Sequence, residues 1–303
     1  MAINLSQIRD LLTPGLRELT GRYDMIPRQW DKVFTTVSSK MAQERTVEMA
    51  LFSTAKLKQE GGATEMDNEA GQRFVYNQEH KEIGLGFAIT RKAIDDNQYK
   101  TQFRPSVEAL SDSFAQTKEI YGAAIFNSAT TYDSRIGGDG KALCASDHPI
   151  DGSTQANRPS VDLDLGEASL LQAMATVRNF RNVRGLKIMA RARKLVIPPA
   201  LEPIAIRLLK TELRPGTADN DVNALRSAHG GLPDGYVTLD FLTSDYAWFL
   251  LTNIKGLLHM KRIAYETKMT TDFTTHNLLT TGYERYSFGY KDWRSIYGSF
   301  PTS

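Results

Sequence analysis

The chain carries a single cysteine, Cys144, among its 303 residues. One thiol cannot staple the chain to itself, and so sparing a use suits a reducing compartment. Long hydrophobic runs are missing too. No apolar stretch approaches the roughly 20 residues that a membrane-spanning helix requires. The N-terminal MAINLSQIRDLL is too short and too charged for the core of a secretion signal. These absences describe a cytosolic product with no membrane partner. Nor is there an excess of charge. Lys and Arg number 37 against 35 Asp and Glu, a formal +2 at pH 7, so bulk electrostatics selects neither nucleic acid nor membrane.

Catalytic constellations are equally scarce. GGDGKAL at 137–143 has its first glycine at the wrong spacing for a phosphate loop, and Ala142 stands where a metal-binding hydroxyl is needed. The glycines of GLGF lie inside a strand pattern rather than at a strand–helix turn, so a dinucleotide fingerprint fails on context. Cys144, Asp147 and His148 share one turn-rich segment, whereas a catalytic Cys and His come from separate parts of a fold. A turn capped by Asp147 is the better reading. His80, His229, His259 and His276 show no metal-ligand spacing, and no carboxylate pair stands out. No enzymatic activity, cofactor or metal is expected.

Hydrophobic residues make up 41% and charged residues 24%, the balance of a globular chain with room for one large or two ordinary domains. Its organising stretch runs from Lys81 to Ala129. KEIGLGFAIT alternates Ile83, Leu85, Phe87 and Ile89 with Gly84, Gly86, Ala88 and Thr90, which predicts a strand with one bulky and one bare face. A helix is then expected over 104–129, with Pro105 as its first helical residue. Phe103, Val107, Leu110, Phe114, Tyr121 and Ile125 fall in one arc of that helix, interrupted by Lys118. Glu108, Asp112, Gln116 and Glu119 form an acidic row elsewhere on it.

Ahead of this unit, Leu5, Ile8, Leu11 and Leu12 share a face too short to be stable alone, so it needs a surface to cover it. Trp30–Ser38 and Glu44–Phe52 read as extended. KLKQEGGATEMDNEAGQ at 56–72, between strands at 46–55 and 73–90, predicts a long projecting hairpin. Its tip carries Glu60, Glu65, Asp67 and Glu69 with no cation among them, and Lys56 and Lys58 stand at its shoulder. So many like charges gain by meeting basic groups elsewhere, and the loop is too long and glycine-rich to fold back on itself.

Beyond the helix, a turn-rich stretch at 130–160 marks a boundary. Helices over 165–182 and 201–213 then mix with KLVIPP, YVTLDF, AWFLLT and LLHMKR, read as short strands of one layered domain. The segment after Tyr265 is rich in threonine and aromatics and reads as further strands. Arg178, Arg181, Arg184, Lys187, Arg191, Arg193 and Lys194 form a basic run with no acid inside it, the best candidate for a face toward nucleic acid. A solvated surface balancing the acidic DLDLGE at 162–167 is the plainer reading of the same run.

Taken in order, GFAITRKAIDDNQY, DGKALCASDHP, KLVIPPALEPIA, AWFLLTN and ERYSFGYKDWRSIYGS make the chain resemble the major capsid proteins of tailed bacteriophages. Within that group it is similar to Mu-like major head subunits. The resemblance implies an α+β fold of the Hong Kong 97 type. An N-arm would occupy 1–45 and an extended loop 46–90. The peripheral domain would take 91–140 and 271–303 around the spine helix, and the axial domain 141–270. It further implies self-assembly into hexamers and pentamers of an icosahedral virion shell enclosing double-stranded DNA, formed in the host bacterial cytoplasm. Portal and scaffolding or decoration proteins would be partners. Many members carry a long N-terminal segment that a maturation protease removes, a pattern this chain is expected to depart from, and covalent cross-links between subunits are not expected. Leu5, Ile8, Leu12, Lys56, Lys58, Glu60, Glu65, Asp67 and Glu69 would then lie at subunit contacts, and the basic run would face DNA. An encapsulin-type compartment shell shares the implied fold, and a cytosolic α/β enzyme is the alternative from another class.

Overall fold

The computed structural model describes residues 23–50, 52–67, 70–95, 99–212, 223–226 and 231–302. Leu5, Ile8, Leu11, Leu12 and Glu69 lie outside them, as does the side chain of Phe103. In chain order the strands are β1 (Thr35–Ser38), β2 (Gln43–Ala50), β3 (Gly71–Glu79), β4 (Lys81–Ile89), β5 (His148–Ile150), β6 (Ser153–Gln155), β7 (Ala192–Ile197), β8 (Tyr236–Thr238), β9 (Trp248–Thr252), β10 (Leu257–Thr271), β11 (Leu278–Tyr290) and β12 (Ile296–Ser299). The helices are α1 (Arg91–Asp95), α2 (Tyr99–Asn127), α3 (Glu167–Arg178) and α4 (Glu202–Lys210).

Among the described residues two four-stranded sheets carry the fold. The first runs β1-β10-β11-β4, with β1 parallel to β10 and the other neighbours antiparallel. The long helix α2 lies on it. Val107, Leu110 and Phe114 are buried, and Phe114 meets Tyr265 of β10 at 4.9 Å between ring centroids. A close approach is needed here: a Cβ on Gly282 of β11 would come within 2.7 Å of the Phe114 ring. Ile83 and Phe87 of β4 pack into the same cluster, so the bulky face of KEIGLGFAIT turns to the helix. Leu85, expected with them, is half exposed.

The helix has 29 residues, about 44 Å at its usual rise, and it starts before Pro105 rather than at it. Proline inside a helix removes one backbone bond and crowds the preceding turn. Burial of the Val107–Leu110–Phe114 seam outweighs that loss. Similarly, the run at 73–90 is two strands rather than one. His80 breaks it, buried, with its ring nitrogens 2.8 Å from Ser39 Oγ and 3.0 Å from Ser287 Oγ.

The second sheet runs β12-β9-β7-β8 and is buried on both faces. Trp248 and Leu250 of β9 pack toward α3 and α4, while Phe249 and Leu251 pack toward Trp30, Phe34 and Phe126. Such two-sided burial explains why AWFLLT and KLVIPP read as unbroken apolar runs. Pro198 and Pro199 end β7 and lead into a short 3-10 turn. LLHMKR was read as a short strand of the layered second domain. It instead begins β10, which continues to Thr271 and pairs with β11 in the first sheet. The terminal segment crosses the other way, β12 pairing with β9. The two sheets are thereby stitched by the chain itself.

Candidate functional site

Exposed surfaces are the prominent feature of the described residues. The hairpin β2–β3 pairs antiparallel from Gln43↔Glu79 to Ala50↔Gly71, and its intervening residues 52–67 form no strand. On this loop Leu57 is 99% exposed, Met66 77% and Phe52 69%. Val47 and Met49 of β2 are exposed on the strand itself. Large apolar side chains grouped on a projection are costly in water and mark a face that another surface covers.

The root of the hairpin is held firmly. Arg294, 3% exposed, donates from Nη1 to Glu48 Oε1 of β2 at 2.8 Å and to Asp292 Oδ1 at 3.1 Å, and from Nε to the Arg181 carbonyl at 2.7 Å. Burial pushes the Glu48 carboxyl up, and the guanidinium of Arg294 opposes that. On the other strand, Asn77 N donates to the Ile136 carbonyl at 2.7 Å and Gly138 N to the Val75 carbonyl at 2.8 Å.

The loop also folds back on its own chain, against the expectation from its glycines. Ser53 N donates to Asp67 Oδ2 at 2.6 Å, and Arg184 Nη1 donates to the same oxygen at 2.6 Å. Lys56 and Glu65 pair at 2.6 Å, both well exposed. Two of the tip carboxylates, Glu65 and Asp67, therefore find cations in cis. Asp67 reaches across 117 positions to Arg184, a distance along the chain that no local pattern announces. Lys58 and Glu60 are exposed.

The arm side is anchored beneath α2. Glu119, from the expected acidic row, accepts the backbone N–H groups of Gln29 and Trp30 at 2.7 and 3.0 Å, capping the 3-10 turn Trp30–Lys32. Lys118, the polar break in the seam, is buried and paired with Glu284 of β11. Tyr23 donates to the other Glu284 oxygen at 2.7 Å, and the rings of Tyr286 and Trp30 lie 4.5 and 5.2 Å from the ammonium. Burial lowers the Lys118 pKa, against the pull of Glu284. Next to it, burial and the Lys118 charge bring His259 down to about 3.

Cys144 is buried, and burial pushes its thiol up. Among the described residues no group of His, Cys, Asp and Glu could hold a metal, and no helix is long and apolar enough to cross a membrane.

A family model described as "Phage capsid protein" matches residues 78–299, well over half of the chain. The chain belongs to the phage capsid protein family. Solved capsid structures agree on the fold. The procapsid of bacteriophage JBD30 has 15% identity and a TM-score of 0.52, covering 99% of this chain and 77% of that one. A virus-like particle from Pyrococcus furiosus has 9% identity and a TM-score of 0.55, covering 95% and 99%. The capsid of a native GTA particle has 11% identity and a TM-score of 0.54, covering 90% of each chain. No curated protein sequence matches. The fold is the α+β Hong Kong 97-like fold. The chain is a major capsid shell protein of a phage virion, a structural role.

In the capsid chain the basic run does not act as one patch. Arg184 is spent on Asp67. Arg193 holds Asp234 with two bonds at 2.9 and 3.0 Å, and Lys194 donates to the Lys32 carbonyl at 2.7 Å. Arg181 donates to the Gly185 carbonyl at 2.7 Å. Arg178, Lys187 and Arg191 are exposed. The hairpin-root group of Glu48, Asp292 and Arg294 escaped sequence reasoning. The opposite charges Asp292 and Arg294 flanking Trp293 were its sole signal.

Proposed function

We propose that this capsid chain forms hexamers and pentamers of an icosahedral shell around packaged double-stranded DNA, assembled in the host bacterial cytoplasm. Portal and scaffolding or decoration proteins would complete the particle. The observation that carries this reading is the projecting hairpin, whose Phe52, Leu57 and Met66 are largely exposed among the described residues. In a shell, the adjacent copy covers them, at a contact repeated hundreds of times.

The working division follows the sequence map: arm 1–45, extended loop 46–90, peripheral domain 91–140 with 271–303, axial domain 141–270. Leu5, Ile8 and Leu12 of the arm, with Lys56, Lys58, Glu60, Glu65, Asp67 and Glu69 of the loop, are proposed for subunit contacts. Arg178, Lys187 and Arg191 are proposed to face DNA. Support for that last assignment is their exposure; Arg184 and Arg193 support it less, being paired in cis. Expressing the chain and sizing the product tests the whole reading. Closed particles with nuclease-protected DNA in phage-infected cells are the expected result, and a monomer or small oligomer under all conditions would overturn it.

A further inference from the structure

Arg184 stands between two spaces at the base of the hairpin. On one side is the hollow of about 1020 Å³ under loop 52–67, where its guanidinium meets Asp67. On the other is a cavity of about 220 Å³ at the hairpin root, lined by Glu48, Asp292 and Arg294 together with Met49, Val183 and Ile188. Arg184 lines both. The smaller cavity is one cation short. It holds two carboxylates, Glu48 and Asp292, against the single guanidinium of Arg294, which is tied to both. Glu48 Oε1 accepts from Arg294 Nη1, while Glu48 Oε2 is buried and has no hydrogen-bond partner among the described residues. A buried carboxylate oxygen left in this way costs free energy that a donor would recover.

Arg184 is the other cation on that cavity's wall, and its backbone is fixed. Arg184 N and Leu186 N both donate to Asn182 Oδ1, at 3.0 and 2.9 Å. Gly185 N donates to the Asn182 carbonyl at 3.0 Å, in a turn that needs φ +75° at Gly185. The side chain can therefore change rotamer without moving the chain that carries it. In its present rotamer Nη1 donates to Asp67 Oδ2 at 2.6 Å, with the two side chains 10% and 16% exposed. The same Asp67 oxygen accepts Ser53 N, so this contact ties both ends of the loop to the body.

We propose that Arg184 is a two-position residue: it holds Asp67 while the loop lies against the body, and passes to Glu48 Oε2 when the loop lifts. Breaking a largely buried ion pair by withdrawing one partner strands the other charge, which is strongly unfavourable. The waiting Glu48 oxygen removes that penalty, so the loop can leave its own subunit without stranding a charge. In the shell reading this loop is what an adjacent copy covers, and the exchange frees it for that contact. The exchange goes beyond the shell reading. Its test uses the unassembled full chain, so either idea can fail without the other.

Glu48→Gln keeps an oxygen to accept from Arg294 Nη1 and puts an NH2 group where Oε2 stood. Arg184 can no longer bond there, so the lifted state loses its partner while the docked loop keeps its own. With protease limiting, cleavage within 52–67 follows the lifted population and should be about fivefold slower in Glu48→Gln than in the unsubstituted chain. Mere damage to the hairpin root would act the opposite way and speed cleavage. A rate equal to or faster than that of the unsubstituted chain therefore overturns the exchange. Should Glu48→Gln fail to fold, the crystal structure of Asp67→Asn decides. Arg184 within hydrogen-bond distance of Glu48 Oε2 supports the exchange. Arg184 still beside position 67, or turned to solvent with water on Glu48 Oε2, overturns it.

Discussion

Lys118 shows how a single residue departs from its pattern for a reason the pattern cannot contain. On the helical wheel it interrupts an apolar seam; in the fold it is buried against Glu284, 166 positions away, with Tyr23 closing the other carboxylate oxygen. The periodicity that made Val107, Leu110 and Phe114 legible as core carries no information about a partner on β11. Taking two charges out of water is expensive, and their attraction offsets it only while both are present. Glu284→Gln leaves the ammonium buried without its counter-ion. It should lower the stability of the isolated subunit by about 3–5 kcal/mol, read by urea unfolding. Replacing Lys118 by Met and Glu284 by Leu together should restore most of that loss. If the double variant is as unstable as the single one, the cost lies in packing rather than charge.

At the scale of elements, the helix α2, the strand β4 and the existence of the hairpin were readable because each has its own period or turn chemistry. Their ends were less so. Pro105 lies inside α2, and His80 divides β3 from β4, because tertiary burial overrode local preference at both. The docking of the loop was not legible, since Asp67 and Arg184 meet across two segments with no shared pattern. This changes what the tip charges do. Asp67 with Arg184 is mostly buried and fixes the loop to its own subunit; Lys56 with Glu65 is exposed and screened by salt. Asp67→Asn should therefore free residues 52–67 in the isolated subunit, seen as faster proteolysis of the loop. Glu65→Gln should change subunit stability by no more than about 1 kcal/mol. A loop equally resistant to protease after Asp67→Asn would show that the apolar and backbone contacts hold it without the ion pair.

For the whole molecule, the two sheets are joined by chain crossings that sequence order conceals. β10 leaves the neighbourhood of β9 to pair with β11, and β12 returns to β9. The basic run then divides by what it can still reach. Arg184, Arg193 and Lys194 are engaged in cis, which leaves Arg178, Lys187 and Arg191 exposed, the three residues proposed to face DNA. Neutralising a phosphate releases condensed counter-ions, so each such contact adds salt-dependent affinity for DNA without sequence preference. Changing Arg178, Lys187 and Arg191 together to Gln should leave particle size and empty-shell assembly unchanged while lowering the DNA-to-protein ratio of filled particles. Particle density in a gradient measures both at once. A variant that no longer assembles assigns these three residues to subunit contacts, and one that packages the normal ratio places them away from the genome.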